Sequence, residues 1–124
     1  MHWIAVGMGG ALGAMARYAL SGLVLQRFPL GTFVANILGC LLIGLLMALS
    51  VKTGWPDPTA RSFLVTGFLG GLTTFSTYAY QTWELHHAGD LSGAAFNLLS
   101  NLTIGLLAVW LGICLGEGIA KLVN

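Results

Sequence analysis

Three stretches of this chain carry no Asp, Glu, Lys or Arg at all: residues 28–51, 62–83 and 91–116. Residues 1–26 carry a single charge, Arg17. A helix rises about 1.5 Å per residue, so roughly 20 residues cross the hydrocarbon of a bilayer. Each stretch meets that length. The chain has 124 residues, of which only 7% are charged, where a soluble domain carries about a quarter. The fold class expected is therefore an all-α integral membrane protein. It has one domain over residues 1–124 and four transmembrane helices near residues 2–25, 31–51, 62–83 and 91–120. Met1-His2-Trp3-Ile4 has no basic leader, so the first span is read as retained rather than as a signal peptide.

The connections are short and rich in breakers. Pro29 follows the first span, and Gly54, Pro56, Asp57 and Pro58 separate the second from the third. Trp55 and Trp83 stand near span ends, where amphipathic rings favour the interface. Small residues recur one turn apart: Gly9 and Gly13, Ala35 and Gly39, Gly112 and Gly116. Such pairs let membrane helices approach closely.

The third span is interrupted. Gly67-Phe68-Leu69-Gly70-Gly71-Leu72-Thr73-Thr74-Phe75-Ser76-Thr77-Tyr78 lies within its uncharged run. Two adjacent glycines, Gly70 and Gly71, weaken a helix without making a good packing face. Inside a bilayer every backbone group must be satisfied. A break at mid-membrane is tolerated where the freed groups face an ion, a substrate or a partner. An ion or solute site is expected there.

Several polar residues bear on that site. Arg17 is the one charge inside a span; it serves function, snorkels to the interface, or anchors a helix end through carbonyls. Asn36 lies about one turn into the second span and either glues helices together or donates N–H to an anion. Phe75 and Tyr78 share a face past the break, and ring edges are weakly positive. Ser76 and Thr77 add hydroxyls on adjoining faces. In the fourth span Asn97 and Asn101 form a polar stripe, with Ser100 and Thr103 beside it.

Other function classes find no support. No Ser-His-Asp, HExxH, P-loop or CxxC pattern occurs, so the chain does not read as an enzyme. Cys40 and Cys114 lie in apolar runs and read as packing. A net charge of +1 gives no nucleic-acid signal. Two alternatives remain: a secondary transporter of the small four-helix type, for the ion at the break or a cationic drug, and a non-transporting assembly subunit. A proton-coupled exporter would want a central carboxylate, and Glu84 and Glu117 lie at span ends.

Lys52, Arg61 and Lys121 fall on one side of the membrane, and Arg27, with or without Arg17, on the other. So small a bias orients a chain weakly. Insertion both ways is expected, with a two-fold axis in the membrane plane relating opposite copies.

Gly9-Gly10-Ala11-Leu12-Gly13-Ala14-Met15-Ala16-Arg17-Tyr18, Gly31-Thr32-Phe33-Val34-Ala35-Asn36-Ile37-Leu38-Gly39 and the Gly67–Tyr78 run resemble, in order and spacing, the three motifs of the Fluc (CrcB) fluoride channels. The resemblance covers nearly the whole chain. It implies an antiparallel, dual-topology homodimer of four-helix subunits in the bacterial inner membrane. It also implies two fluoride pores, a central structural sodium ion and passive fluoride efflux. Carried over, Asn36, Phe75 and Tyr78 line the pore, Arg17 is the first-helix arginine, and the carbonyls of Gly70 and Thr73 hold sodium. Ser76, Thr77, Asn97 and Asn101 join the fluoride pathway. Position 78 is Tyr where Phe is usual, and Asn97 and Asn101 stand where some members carry Tyr or Ser.

Overall fold

The structure, a computed structural model, describes residues 2–25 and 27–123. Among them the chain is helical, with no strand beyond an isolated bridge between Leu25 and Phe28. Helix α1 is His2–Ser21 and α2 is Leu30–Thr53. A turn at Pro58–Arg61, a π-helical stretch Ser62–Leu69 and a last turn Gly70–Leu72 run on without interruption and together form α3. After Thr73 and Thr74 come α4, Phe75–His87, and α5, Leu91–Val123.

The boundaries follow local chemistry. Gly54 ends α2 with a left-handed φ of 76°, its N–H on the Ser50 carbonyl. Asp57 starts α3, its carboxylate accepting from the N–H of Thr59 at 2.9 Å and of Ala60 at 2.8 Å, with Pro58 in the first turn. The third rod therefore begins earlier than its uncharged run. Helices α2 and α5, of 24 and 33 residues, are long and apolar enough to cross a membrane.

Two tight helix pairs form the body: α2 with α5, and α1 with α3; α4 leans on α5. Both pairs close on glycine. On α1, Gly9 and Gly13 face the backbone of α3 around Phe63, Gly67 and Phe68; on α3, Gly67 and Gly71 face the backbone of α1. A Cβ at Gly67 would stand 2.7 Å from the Val6 carbonyl oxygen, and one at Gly71 3.0 Å from the Ala14 nitrogen. Across α2 and α5, Gly44 meets the Val109 carbonyl, Gly112 the Leu41 carbonyl and Gly116 the Leu45 carbonyl. Lipid gives helices no hydrophobic reason to associate, so contact depends on this backbone approach.

Gly71 thus has a packing role that its neighbour lacks. Among the described residues, a Cβ at Gly70 would meet only the Val65 carbonyl, at 3.9 Å. Gly70 is itself helical, with φ −63° and ψ −33°. The glycine pair does not break the helix, which runs on to Leu72.

The buried core is small: Ala35, Leu69 and Leu72, packed with Leu20, Leu42 and Leu46 among others. Most large apolar side chains point outward, including Trp3, Leu102, Trp110 and Leu122. So much exposed apolar surface suits lipid, not water.

Gly71→Val is expected to abolish the folded protein, because the new side chain meets backbone. Gly7→Ala, where a Cβ meets none of the described residues within 4 Å, should shift stability by no more than about 0.5 kcal/mol. Thermal unfolding followed by size-exclusion recovery in detergent checks both.

Candidate functional site

At the break the backbone is extended for two residues. Thr73 has φ −83° and ψ 152°, and Thr74 φ −151° and ψ 120°. Thr73 remains tied to the helix before it: its N–H and its hydroxyl both donate to the Leu69 carbonyl, at 3.0 and 2.9 Å. The Thr74 N–H, which a continuous helix would give to Gly70, goes instead to Asn36 Oδ1 at 2.9 Å. Asn36 Nδ2 donates back to the Thr74 carbonyl at 3.4 Å. The side-chain amide of α2 thus stands in for a strand partner.

Thr74 also caps α4. Its Oγ1 accepts from the Thr77 N–H at 3.3 Å and donates to Thr77 Oγ1 at 3.1 Å, with Ser76 Oγ at 3.4 Å. The methyl group of Thr73 sits against Gly39, which seats the break on α2.

The carbonyls freed by the break have different fates. Gly71 O accepts from Arg17 Nε at 3.0 Å. Among the described residues, no hydrogen bond reaches the carbonyls of Gly70 or Thr73. At one point, then, the carbonyl end of α3 meets the N–H end of α4. The first favours a cation and the second an anion. The same residues hold no cluster of three or more His, Cys, Asp or Glu.

A polar chain leads away from the break. Asn36 Nδ2 donates to Asn101 Oδ1 at 3.1 Å, and Asn101 Nδ2 to Asn97 O and Oδ1, both at 3.1 Å. Asn97 Nδ2 donates to Thr82 Oγ1 at 2.8 Å, and that hydroxyl to the Tyr78 carbonyl at 2.9 Å. Asn97 is 1% exposed, so its satisfaction is required rather than incidental.

Beside this chain lies a groove of about 620 Å³, lined by Asn36, Gly70, Thr73, Phe75, Tyr78 and Asn101 among apolar walls. The rings of Phe75 and Tyr78 are 5.7 Å apart and inclined at 59°. Phe75 is 79% exposed, while Tyr78 is buried. The Tyr78 hydroxyl donates to the Leu98 carbonyl at 3.0 Å. It ties α4 to α5.

Of the site residues expected from sequence, Asn36, Gly70, Thr73, Phe75, Tyr78 and Asn101 gather at the groove. Asn97 stands behind Asn101. Ser76 and Thr77 reach the site through Thr74. Arg17 stands apart, on the Gly71 carbonyl, in the anchoring role. Thr74 and Thr82 were not anticipated. Thr82 could have been found from its spacing, one turn beyond Tyr78 on the same face. Among the described residues, the buried Ser100 Oγ and Gln81 Oε1 find no hydrogen-bond partner.

A family model described as CrcB-like protein, Camphor Resistance (CrcB), matches residues 4–113. The chain belongs to the CrcB family. A relative from Methylobacillus flagellatus, named fluoride-specific ion channel FluC, is 46% identical over 112 residues, covering 86% of this chain and 88% of the relative. The protein of that name from Geotalea daltonii is 46% identical over 114 residues, 89% of this chain and 92% of its own. One from Symbiobacterium thermophilum, fluoride-specific ion channel FluC 1, is 43% identical over 123 residues, 95% and 99% of the two chains. The family that the three motifs resemble is thus the family to which this CrcB chain belongs.

Two stability changes follow from the geometry. Tyr78→Phe removes the bond to Leu98 and should cost about 0.5–1.5 kcal/mol. Arg17→Met keeps the apolar stem but strands the Gly71 carbonyl and loses a charge-assisted bond, which should cost about 1.5–3 kcal/mol. Denaturation midpoints in detergent read both, and Arg17→Met should be the larger.

Proposed function

We propose that this chain is a fluoride-selective ion channel that lets fluoride leave the cytoplasm down its electrochemical gradient. It is a multi-pass membrane protein; in a bacterium its place is the inner membrane. The observation that carries the reading is the break at Thr73 and Thr74, braced by Asn36, with two aromatic rings beside it. Fluoride is small, hard and tightly hydrated. A pore for it must replace water with donors and positive edges while holding the ion weakly enough to release it. The Asn36 amide, the Phe75 and Tyr78 ring edges and the N-terminal end of α4 supply neutral partners of that kind. The bundle presents no ring of arginines that would trap an anion. The carboxylates lie in loops, at Asp57 and Asp90, or in the last two turns of helices, at Glu84 and Glu117, so a proton-coupled cycle has no central acid to use.

The proposed assembly is a dual-topology homodimer of opposite copies with two pores. Four helices make a small wall, and much apolar surface, Phe75 included, lies uncovered in one chain. A sodium ion at the dimer centre is proposed on the unpartnered carbonyls of Gly70 and Thr73, a pair from each copy. Hard oxygen ligands suit it. Its charge would stabilise the joined breaks and raise the potential for anions nearby.

Purified protein in liposomes should release fluoride passively and retain chloride. Phe75→Leu should cut fluoride flux by orders of magnitude while the dimer elutes unchanged. Asn36→Asp places a carboxylate without an N–H donor in the path and should block. Absence of fluoride release, or equal release of chloride, would overturn the reading. Tag labelling in cells should find C-termini on both sides of the membrane; a single orientation would refute the antiparallel dimer.

A further inference from the structure

We infer that Asn101 acts on the fluoride pathway as a competing acceptor: its carbonyl oxygen occupies the Asn36 proton that fluoride needs, and so weakens fluoride binding. The inference rests on the channel reading above and deepens it. A polar stripe on α5 would ordinarily be read as a row of donors for the anion. The hydrogen-bond network gives the opposite sense.

Both amides are pinned by backbone groups. The Thr74 N–H can only donate, and it lies 2.9 Å from Asn36 Oδ1. The Asn36 oxygen therefore faces the break, and its NH2 faces α5. On the other side, Asn101 Nδ2 lies 3.1 Å from both the backbone carbonyl and the side-chain oxygen of Asn97. Turning the Asn101 amide over would set its oxygen against two oxygens and its NH2 against that of Asn36. The Asn101 oxygen therefore points at Asn36, 3.1 Å from its Nδ2. Asn97 reinforces the arrangement. It is fully buried, and its own NH2 is committed to Thr82 at 2.8 Å.

Asn36 has two amide protons. One goes to Asn101, and the other makes the long 3.4 Å contact with the Thr74 carbonyl. Both have an acceptor before any ion arrives. Fluoride beside Asn36 must displace one, so the net gain is the difference between two bonds rather than a whole one. A conducting site needs that weakness, since an ion held by unopposed donors would not leave. Asn101 is in this sense a positioning residue that also sets affinity.

The test is the fluoride concentration that half-saturates purified wild-type protein, Asn101→Ala and Asn101→Leu, read by calorimetric titration. Single-channel current against fluoride concentration is measured in parallel. Loss of one competing neutral hydrogen bond corresponds to a roughly 3- to 10-fold fall in half-saturating fluoride, with a lower maximal current because release slows. Leu keeps the side chain's bulk, so it carries the test if Ala disturbs assembly. A donor role, or a merely structural one, gives the reverse, a raised or unchanged half-saturation in a variant that elutes as wild type. Either result overturns the inference. Wild-type protein that binds fluoride without saturable current would overturn the channel reading instead, while the ratio of variant to wild-type affinity still decides the role of Asn101.

Discussion

The hydrogen bond from the Thr74 N–H to Asn36 Oδ1 is the interaction on which the site depends. In a bilayer an unpaired peptide N–H costs several kcal/mol, so a helix does not open without a substitute partner. Asn36 is that partner, delivered from α2 at the right depth. Once the Thr74 N–H is taken, Gly70 loses the donor its carbonyl would have had. The extended pair at Thr73 and Thr74 then turns α4 away from α3. The freed carbonyls, the start of α4 and the Phe75 and Tyr78 rings reach the groove as consequences of one side-chain bond.

That bond can form only because the helices stand very close. The glycines of α1 and α3 bring two backbones into contact, and those of α2 and α5 do the same. With the rods locked in pairs, α2 presents Asn36 at the height of the break and α5 presents Asn101 opposite it. Arg17 secures the other side of α3 through the Gly71 carbonyl. A charge inside the span thus serves the scaffold, by satisfying an oxygen that the break would otherwise leave bare. Tight packing and the polar site depend on each other: polar groups inside lipid persist when neighbours satisfy them.

Much of this was legible in the residues. Charge-free runs marked the rods, and Gly, Pro and Asp marked their ends. Three motifs pointed to the family. The Gly70 and Gly71 pair located the break to within a few residues but misassigned its cause. Glycine weakens a helix in isolation, yet Gly71 is used for contact with α1, and the opening comes from an amide on another helix. Nothing local to residues 67–78 carries that information. The same holds for the Tyr78 hydroxyl, whose acceptor is on α5, and for Asn97, whose partner Thr82 is on α4. Periodicity identifies which residues share a face. It does not say which neighbouring face they meet, and that is where the orientation of each amide is decided.

The most direct measurement is passive fluoride efflux from liposomes containing Asn36→Leu, compared with wild type per mole of folded protein. Leucine fills the volume of the amide but offers the Thr74 N–H no oxygen. If Asn36 holds the break open and gives fluoride its donor, efflux through this variant falls to the level of protein-free liposomes while the protein elutes as wild type does. Wild-type efflux from folded Asn36→Leu protein would contradict the account.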